Sequence, residues 1–307
     1  MKPKIVVVGS ANTDMVVQVT HLPQAGETVL GCNFITAQGG KGANQAVAAA
    51  RLGAEVTFVA RLGQDSFGKE SEAAYQAEGI NTGYIVRDRE APSGAALIMV
   101  NPAGENIIAV ASGANARLSP DDILAAEDAI AAAHYVLLQL EIPIPTVEAA
   151  IKLAKKHGVG VILNPAPAVQ LSPDLLKYVD VLTPNEHEAA LLASGYSADS
   201  IKDPLSFLAS RSGIQALVVT LGAHGAAIIQ QGKRSDIPAY PVKAIDTTAA
   251  GDAFNGALAV ALARGESLAA AVRFANGVGA LSTTKMGAQP SLPTLVELEA
   301  FISRMQS

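Results

Sequence analysis

Two short apolar runs, YVLLQL at residues 135–140 and VGVIL at residues 159–163, flank the segment PTVEAAIKLAKKH at residues 145–157. Each run is apolar over the length of a buried strand. The segment between them places alanine and aliphatic residues at the spacing of a helix. A strand, a helix and a second strand in this order predict two parallel strands joined by a helix, the unit of an α/β fold.

The same alternation of apolar runs and helical segments recurs along the chain. Further strands are predicted at Ile5–Val8, Val56–Ala60, Val179–Thr183 and Ala216–Thr220. Further helices are predicted at Ala43–Leu52, Ser66–Glu78, Pro120–Ala132, Glu186–Ala193 and Pro204–Ser212. The last third is predicted to be nearly all helical, with helices at Ala253–Ala263, Leu268–Thr284 and Thr294–Met305. Apolar strands divided by helices predict a three-layer α/β sandwich, a mostly parallel central sheet covered on both faces, in a single domain over residues 1–307.

Two stretches, at about residues 13–37 and 94–111, do not follow this alternation. Four strand-like runs lie in them: Thr13–Val19, Glu27–Ala37, Ala95–Val100 and Asn106–Ala111. The last two flank the turn sequence NPAGE, which predicts a hairpin. Together the four runs predict a small separate β-sheet. Such a sheet either covers a site at the carboxyl ends of the parallel strands or is a peripheral insertion, and the pattern favours neither.

Composition and charge exclude several classes of protein. The chain has 307 residues, of which 50% are apolar and 16% charged, and its net charge is −6. A nucleic-acid partner is not expected, because phosphate binding needs a cationic face. Cys32 is the only cysteine, which excludes a disulfide framework and a cysteine-based metal site.

Targeting and membrane segments are not expected either. The first apolar run, Ile5–Val8, is shorter than a secretory h-region of roughly 7–15 residues. No apolar run approaches the roughly 18 residues of a membrane span. We therefore expect a cytoplasmic enzyme with no membrane partner.

Several common catalytic motifs are absent. The chain has no GxxxxGK[ST] motif, and no GxGxxG motif follows the first strand at Gly9. The histidines are scattered without HxxxH or HExxH spacing, and there is no GxSxG motif. These absences count against P-loop NTPases, NAD-dependent dehydrogenases, histidine-based metal enzymes and α/β-hydrolases.

Two segments of small residues stand at the starts of predicted helices. In Ala249-Ala250-Gly251-Asp252, exposed N–H groups and the helix dipole can hold a phosphoryl group, and Asp252 can accept a proton from a hydroxyl. An aspartate at a helix start is also a common cap. In Gly39-Gly40-Lys41-Gly42-Ala43-Asn44, Lys41 and Asn44 can form hydrogen bonds with hydroxyl groups, although a glycine-rich turn with a solvated lysine is also common.

Polar side chains also follow several predicted strands. Asn12 and Asp14 follow the first strand, Glu141 follows YVLLQL, and Asn185–Glu188 follow the run that ends at residue 183. Thr220–Gly225 closes another strand with small residues suited to nucleotide contact. Because ligands bind at the carboxyl ends of strands in open α/β sheets, the active site is predicted at this edge.

Two segments resemble the hallmark segments of the ribokinase-like carbohydrate kinases: GGKGANQA at residues 39–46 and DTTAAGDAFNG at residues 246–256. Supporting segments occur in the family's order: Asn12-Thr13-Asp14, Leu140-Glu141, Asn185–Glu188, Thr220–Gly225 and KMGAQPS at residues 285–291. The resemblance runs from the first strand to about Ser291 and so covers nearly the whole chain.

The resemblance implies ATP-dependent phosphorylation of a primary hydroxyl, O5 of D-ribose. It implies Asp252 as the general base and Ala249, Ala250, Gly251 and Asp252 as the anion hole. The residues that it implies for sugar binding are Asn12, Asp14, Gly39, Gly40, Lys41, Asn44, Glu141 and Asp252. Those that it implies for ATP are Asn185, Thr220, Gly222, Gly225, Gly251 and Asn276.

The resemblance further implies two metal ions and a homodimer. Glu188, with Asn185, is implied to hold Mg²⁺ through its water shell. A potassium ion is implied in a loop of mostly backbone oxygens, formed by Asp246, Thr248, Ser282, Lys285, Gly287 and Ser291. The four extra strands are implied to form a lid over the sugar and to pair with the lid of a second copy. The alternatives left open are a kinase of deoxyribose, another sugar or a nucleoside, and a sugar-binding regulator without catalysis.

Overall fold

Strands and helices alternate along the part of the chain that the computed structural model describes, residues 2–194, 205, 208 and 213–306. The strands there are β1 (Lys4–Val8), β2 (Asn12–Gln18), β3 (Asn33–Gly39), β4 (Glu55–Gly63), β5 (Asn81–Asp88), β6 (Gly94–Val100), β7 (Asn106–Ala111), β8 (Tyr135–Leu138), β9 (Gly160–Leu163), β10 (Val181–Leu182), β11 (Ala216–Thr220), β12 (Ala226–Gln230) and β13 (Lys233–Ile237). The α-helices are α1 (Lys41–Arg51), α2 (Ser66–Ala77), α3 (Pro120–Ala125), α4 (Glu127–Ala131), α5 (Ile144–Lys156), α6 (Pro173–Leu176), α7 (Glu186–Ser194), α8 (Ala250–Ala263), α9 (Leu268–Ser282) and α10 (Leu295–Gln306).

A nine-stranded sheet, in the order β13-β12-β11-β10-β9-β8-β1-β4-β5, forms the centre of the fold. Pairing is parallel from β5 to β11, and the β11–β12 and β12–β13 pairs are antiparallel. Because strand side chains alternate between two faces, Val7 joins the apolar cluster under α1 and α8, while Val6 and Val8 join the cluster under α5. Helices thus cover both faces, which confirms the predicted three-layer sandwich.

A separate four-stranded sheet has the order β3-β2-β6-β7. Strand β2 pairs antiparallel with β3 and parallel with β6, and β6 and β7 form the predicted hairpin. The predicted strand Glu27–Ala37 is wrong at its start, because β3 begins only at Asn33. Asn33 lies opposite Gln18, the last residue of β2, so the strand begins where its partner ends.

Sequence patterns miss three strands of the central sheet: β5, β12 and β13. Strands β5 and β13 lie at the two edges and have the sequences NTGYIVRD and KRSDI, so neither contains the continuous apolar run of a buried strand. Strands β12 and β13 also contradict the prediction that the last third is nearly all helical. A partly solvated edge strand needs fewer apolar residues, which is why its pattern is weak.

Most predicted helices are confirmed with small shifts at their ends. The predicted helix Pro120–Ala132 is instead two short helices, α3 and α4, which meet at Ala126. Strands β8 and β10 are shorter than predicted, so Gln139 and Thr183 follow them rather than belong to them. The predicted helix Pro204–Ser212 lies outside the described residues, except for residues 205 and 208. No helix within residues 2–194 and 213–306 has the length and apolarity needed to cross a membrane.

Candidate active site

The predicted sugar and catalytic residues come together beyond the carboxyl ends of β1 and β8. Asp252 lies in the first turn of α8, Asn44 in the first turn of α1, and Glu141 just beyond β8. Asn44 Nδ2 donates to Asp252 Oδ2 over 2.9 Å. Glu141 Oε2 accepts from the Lys41 backbone N–H over 3.1 Å and from the Ser10 hydroxyl over 2.5 Å. These contacts join two helix starts and two strand ends into one site.

Helix α8 begins beside open space. Ala249, the residue before the helix, has φ 59° and ψ 11°, in the left-handed region that favours glycine. A Cβ atom built on Gly251 meets no heavy atom within 4 Å. The partial positive charge of a helix N-terminus faces this space, so the start of α8 can accommodate an anion.

Asp252 is buried, with only 7% of its surface exposed. Its Oδ2 accepts from Asn44 Nδ2 over 2.9 Å, and its Oδ1 accepts from Gln45 Nε2 over 3.0 Å. Burial raises the pKa of Asp252, although Lys41 and the two amides act in the opposite direction, and the charge of Glu141 adds to the rise. A carboxylate with a raised pKa is a stronger base, which suits proton transfer from a hydroxyl.

The turn before α1 requires glycine. Gly40 has φ 88°, and a Cβ atom there would lie 2.7 Å from the backbone nitrogen of Asn12. A Cβ atom on Gly39 would lie 2.2 Å from Asp14 Oδ2. The two glycines therefore let the end of β3 lie directly against Asn12 and Asp14.

Asp14 lies inside strand β2 of the four-stranded sheet, in agreement with the predicted strand Thr13–Val19. It pairs in register with Ala37 and Ala96. Burial, with the charges of Glu141 and Asp252, raises the pKa of Asp14 to about 6. The four-stranded sheet thus contributes a carboxyl group to the site, so it is not a peripheral insertion.

Three further residues that were predicted to bind the sugar present polar atoms here. Burial acts to lower the pKa of Lys41, but the carboxylates of Asp252, Glu141 and Glu188 outweigh it, so that pKa is raised. Asn44 Oδ1 is buried and has no hydrogen-bond partner among the described residues, so it can accept from a ligand hydroxyl. Asn12 Oδ1 accepts from Asn115 Nδ2 over 2.8 Å.

Asn185 and Glu188 cap the start of α7 reciprocally. The Asn185 N–H donates to Glu188 Oε2 over 2.9 Å, and the Glu188 N–H donates to Asn185 Oδ1 over 2.8 Å. Burial raises the pKa of Glu188, against its bond from Asn185 and the charge of Lys41. Asn185 also forms a parallel bridge with Thr220, the last residue of β11. The structure therefore brings Asn185, Glu188 and Thr220 together.

Gly222, Gly225 and Asn276 lie near the end of β13. Gly222 and Gly225 have φ values of 56° and 95°. A Cβ atom on Gly225 would lie 2.1 Å from the carbonyl oxygen of Ile237, and Asn276 Nδ2 donates to the same oxygen over 3.1 Å. Asn276 also donates to the carbonyl of Pro238 over 3.2 Å, so its amide nitrogen supports the backbone after β13.

Part of the predicted potassium loop is assembled around Asp246. Its Oδ1 accepts from the N–H and hydroxyl of Thr248 over 2.9 and 2.6 Å, and its Oδ2 accepts from the Gly287 N–H over 2.8 Å. Burial acts to raise the pKa of Asp246, but these hydrogen bonds outweigh it and lower that pKa. The carbonyl of Thr283 accepts from the Ile245 and Asp246 N–H groups.

The other predicted potassium-loop residues make different contacts. The Lys285 side chain pairs with Glu297 at 2.6 Å. The hydroxyls of Ser282 and Ser291 are buried and donate to nearby backbone carbonyls. The Lys285 ammonium has no lone pair and cannot bind a cation, whereas the main-chain oxygens of the three residues and the hydroxyl oxygens of both serines remain candidates.

Three residues of the site were given no role in the sequence analysis: Gln45, Gln139 and Asn164. Gln45 follows Asn44 on α1, and its amide contacts both Asp252 and Asn164. Gln139 and Asn164 directly follow β8 and β9, so the rule that ligands collect at strand ends would have found them. Within the described ranges, no group of three or more His, Cys, Asp or Glu residues could hold a metal ion.

The sequence of the chain matches a known family. The model of the pfkB family of carbohydrate kinases matches residues 2–295. The chain belongs to the pfkB family of carbohydrate kinases. This confirms the family resemblance carried by the two hallmark segments.

Similar pfkB-family proteins match over nearly their whole length. The ribokinase of Haemophilus influenzae is 45% identical over 305 residues, which cover 98% of this chain and 99% of that protein. The crystal structure of Thermotoga maritima ribokinase superimposes with a TM-score of 0.90 at 36% identity, covering 98% of this chain and 99% of that one. The structure of Arabidopsis thaliana ribokinase complexed with ribose and ATP has a TM-score of 0.88 at 35% identity, with the same coverage.

Proposed function

We propose that this pfkB-family chain is a kinase that transfers the γ-phosphoryl group of ATP to O5 of D-ribose, giving D-ribose 5-phosphate and ADP. The observation that carries the proposal is the position of Asp252, a buried carboxylate held by two amides beside the open start of α8. Similarity to a ribokinase that is complexed with ribose and ATP supports the choice of substrates.

In the proposed reaction, Asp252 is the general base. It accepts the proton of the O5 hydroxyl while O5 forms a bond to the γ-phosphorus and the bond from that phosphorus to the β–γ bridging oxygen of ATP breaks. The start of α8, Ala249 to Asp252, stabilises the charge on the transferred group, because helix N–H groups and the helix dipole attract anions. Phosphoryl transfer needs little covalent assistance beyond such alignment and charge stabilisation.

The proposed sugar pocket consists of Asn12, Asp14, Gly39, Gly40, Lys41, Asn44 and Glu141. A neutral sugar offers only hydroxyl groups and ring oxygen, so carboxylates, amides and an ammonium group are suitable partners. The buried, unbonded Asn44 Oδ1 supports a hydroxyl contact at that position. Each hydrogen bond to a charged group contributes roughly 1.5–3 kcal/mol.

The proposed nucleotide contacts are Asn185, Thr220, Gly222, Gly225, Gly251 and Asn276. Glu188 is proposed to hold Mg²⁺ through water; an oxygen-only donor suits this hard cation, and its capping bond uses Oε2. When bound there, Mg²⁺ would supply positive charge that offsets the negative charge of the phosphates. Asn276 acts by supporting the backbone beside the nucleotide, since its amide nitrogen is bonded to two carbonyls.

A potassium site is proposed in the loop of Asp246, Thr248, Ser282, Lys285, Gly287 and Ser291, through mostly backbone oxygens. The hydrogen bonds of Asp246 with Thr248 and Gly287 support this proposal, because they hold the two halves of the loop together. Asp246 is joined to the start of α8 by a few residues, so an ion here would set the geometry of the anion hole.

A homodimer through the four-stranded sheet is also proposed. Val16 lies two residues from Asp14 on β2, so both side chains point to the same face. Val16 pairs with Ile35 and Ile98, and Ile98 pairs with Ile108. Ile35 and Ile108 are exposed by 52% and 54%. An apolar sheet face of this kind suits a second copy of the same sheet.

The proposed location is the cytoplasm, where the whole of residues 1–307 would act as one domain. The proposed substrate ATP suits that compartment. Cys32 is an exposed free thiol, and a reducing compartment keeps such a thiol reduced.

The test measures ADP formation from ATP, Mg²⁺ and D-ribose in potassium buffer, with 2-deoxyribose, fructose and adenosine in parallel. Ribose should be the preferred acceptor. The Asp252→Asn variant should lower kcat by roughly 10²–10⁴-fold with ribose affinity retained, because it removes only the base. Asp128→Asn, an exposed aspartate on α4, is the matched control and should turn over at the wild-type rate.

Two results would contradict the proposal in different ways. Preference for another acceptor would leave the reaction type standing and refute the assignment of the sugar pocket. Wild-type turnover in Asp252→Asn would remove Asp252 from the mechanism.

A further inference from the structure

A row of buried side-chain amides lies behind Asp252. Gln45 Nε2 donates to Asp252 Oδ1 over 3.0 Å and to Asn164 Oδ1 over 3.2 Å. Gln139 Nε2 donates to Gln45 Oε1 over 2.6 Å, and Asn164 Nδ2 donates to the carbonyl of Thr183 over 3.0 Å. Gln45 and Gln139 are fully buried, and Asn164 is exposed by only 7%. The row therefore supports the carboxylate from within the protein.

The row allows Gln45 only one orientation of its amide. If that amide were rotated by half a turn, its oxygen would face the Asp252 carboxylate and its nitrogen would face the nitrogen of Gln139. Both new contacts are repulsive, since each would bring like groups together. Gln139 and Asn164 thus act as a clamp that aims the Gln45 donor at Asp252.

The clamp leaves one buried polar atom of Gln139 without a hydrogen bond to the described part of the chain. Gln139 Oε1 is buried without a hydrogen-bond partner among the described residues, and such orphaned acceptors are rare. It lies so close to Gly9 that a Cβ atom there would be 2.1 Å away. Gln139 therefore keeps its amide nitrogen on Gln45 at the expense of its own oxygen, which is expected where function dictates the orientation.

We propose that Gln45 is a positioning residue for the reaction: clamped by Gln139 and Asn164, it holds the Asp252 carboxylate in the orientation in which that carboxylate accepts the proton of the sugar hydroxyl. The inference rests on the proposed function, because it assigns Gln45 a role in that reaction. The neighbouring Asn44 is different, since its Oδ1 has no hydrogen-bond partner among the described residues and is free to accept from a ligand hydroxyl. Both polar atoms of Gln45 bond to protein groups, so it acts only through Asp252.

Other charged groups act on Asp252 but do not replace this contact. The charges of Lys41 and Glu141 shift the pKa of Asp252, and the charge of Asp252 in turn acts to raise the pKa values of Asp14 and Glu188. All four remain unchanged when Gln45 is replaced. Because a hydrogen bond to a carboxylate favours its charged form, removal of the Gln45 donor should raise the pKa of Asp252.

The test compares Gln45→Met, which has a similar length and no donor, with the wild-type chain and with Gln76→Met, an exposed glutamine on α2. The expected result is a fall in kcat of about 10- to 100-fold, since a misplaced catalytic group loses rate on this scale. In a plot of kcat against pH, the midpoint of the acidic limb should shift to higher pH by about one unit. The ribose KM should change by less than about threefold, because no sugar contact is removed.

The same substitution made in the Asp252→Asn variant distinguishes a positioning role of Gln45 from general destabilisation of the chain. In Asp252→Asn, the Gln45→Met change should cause no further loss of kcat, because there is no base left to position. The same fold loss in both backgrounds would overturn the inference. If Gln45→Met does not fold, Gln45→Glu takes its place. This variant keeps an acceptor for Gln139 and places a second carboxylate beside that of Asp252. The acidic limb of the plot of kcat against pH should therefore again shift to higher pH.

A direct titration makes the inference independent of turnover. The carbon NMR signal of the Asp252 carboxyl group, assigned by its absence in Asp252→Asn, is followed against pH without substrate. A higher pKa in the Gln45 variant supports the inference, and an unchanged pKa overturns it. Failure of the wild-type chain to phosphorylate ribose would contradict the proposed function, while this titration would still decide whether Gln45 holds Asp252.

Discussion

Replacing Gly251 by alanine adds one methyl group at the open start of α8. A Cβ atom at this position meets no heavy atom within 4 Å, and Gly251 is already in a helix, so the methyl group causes no clash with the protein. Alanine is favoured over glycine inside helices by up to about 1 kcal/mol. The free energy of unfolding should therefore stay the same or rise by at most about 1 kcal/mol.

The activity of Gly251→Ala should fall, although its stability is retained. The methyl group would occupy the space into which we place the transferred phosphoryl group. Loss of contact with a donor of this kind lowers kcat by roughly 10²–10³-fold in other enzymes. We expect kcat to fall by about 10²-fold or more in Gly251→Ala, with no loss of thermal stability.

Two measurements check this combination: thermal unfolding by circular dichroism without ligands, and initial rates of ADP formation. Gly256→Ala on the same helix is the contrasting variant, because its Cβ atom would lie 2.7 Å from that of Ala48. Overpacking there should destabilise the chain by about 1–3 kcal/mol. A kcat for Gly251→Ala within about threefold of wild type would refute the anion-hole assignment, and a fall in its stability would refute the open geometry at the start of α8.

The remaining predictions concern the sugar, the dimer and the cation. The pKa of Asp14 is about 6 in the folded chain, above the ordinary value of 3.8 for an aspartate, so its carboxylate is lost as the pH falls through 6. The ribose KM should therefore rise about tenfold below that pH and become independent of pH in Asp14→Asn. A wild-type KM that stays constant from about pH 5 to 7.5 would be inconsistent with this role. If the chain forms the proposed dimer, Ile108→Glu should convert it to monomers in sedimentation experiments, because the variant buries a charge in the apolar sheet face. A wild-type monomer would argue against the proposed interface itself. Replacing potassium by tetramethylammonium should lower the rate of ADP formation by the wild-type chain. The Asp246→Ala variant, measured in potassium, should show the same lowered rate. Equal wild-type rates in both buffers would rule out the cation loop.

The sequence predicts most of the fold because its strands are buried. Runs such as YVLL at residues 135–138 and VIL at residues 161–163 are apolar throughout, since helices cover both faces of the sheet. The edge strand β13, with the sequence KRSDI, has no such run, because four of its five residues are exposed. Its place in the sheet depends on pairing with β12, which no local pattern reveals.

The sequence also predicts the main residues of the site, because glycine-rich turns and strand ends mark where ligands bind. It does not predict which side chains hold Asp252 in place, because they come from distant segments of the chain. Gln45 lies in the hallmark segment GGKGANQA, and Gln139 and Asn164 stand at strand ends, but no local pattern shows that these three amides form a row behind Asp252. Their role depends on contacts with Asp252 and with one another.

Local periodicity, turn chemistry and the two hallmark segments thus determined the fold class, the edge of the sheet that holds the site and the family. Only the tertiary structure decided that Asn44 and Gln45 hold Asp252, residues 208 and 207 positions apart in the chain. It also decided that Asp14 reaches the site from the second sheet, where burial among carboxylates raises its pKa to about 6. The physical reason is the separation in sequence of the residues that interact. Periodicity and turns arise from neighbouring residues, whereas burial and electrostatic interactions depend on which distant segments pack together.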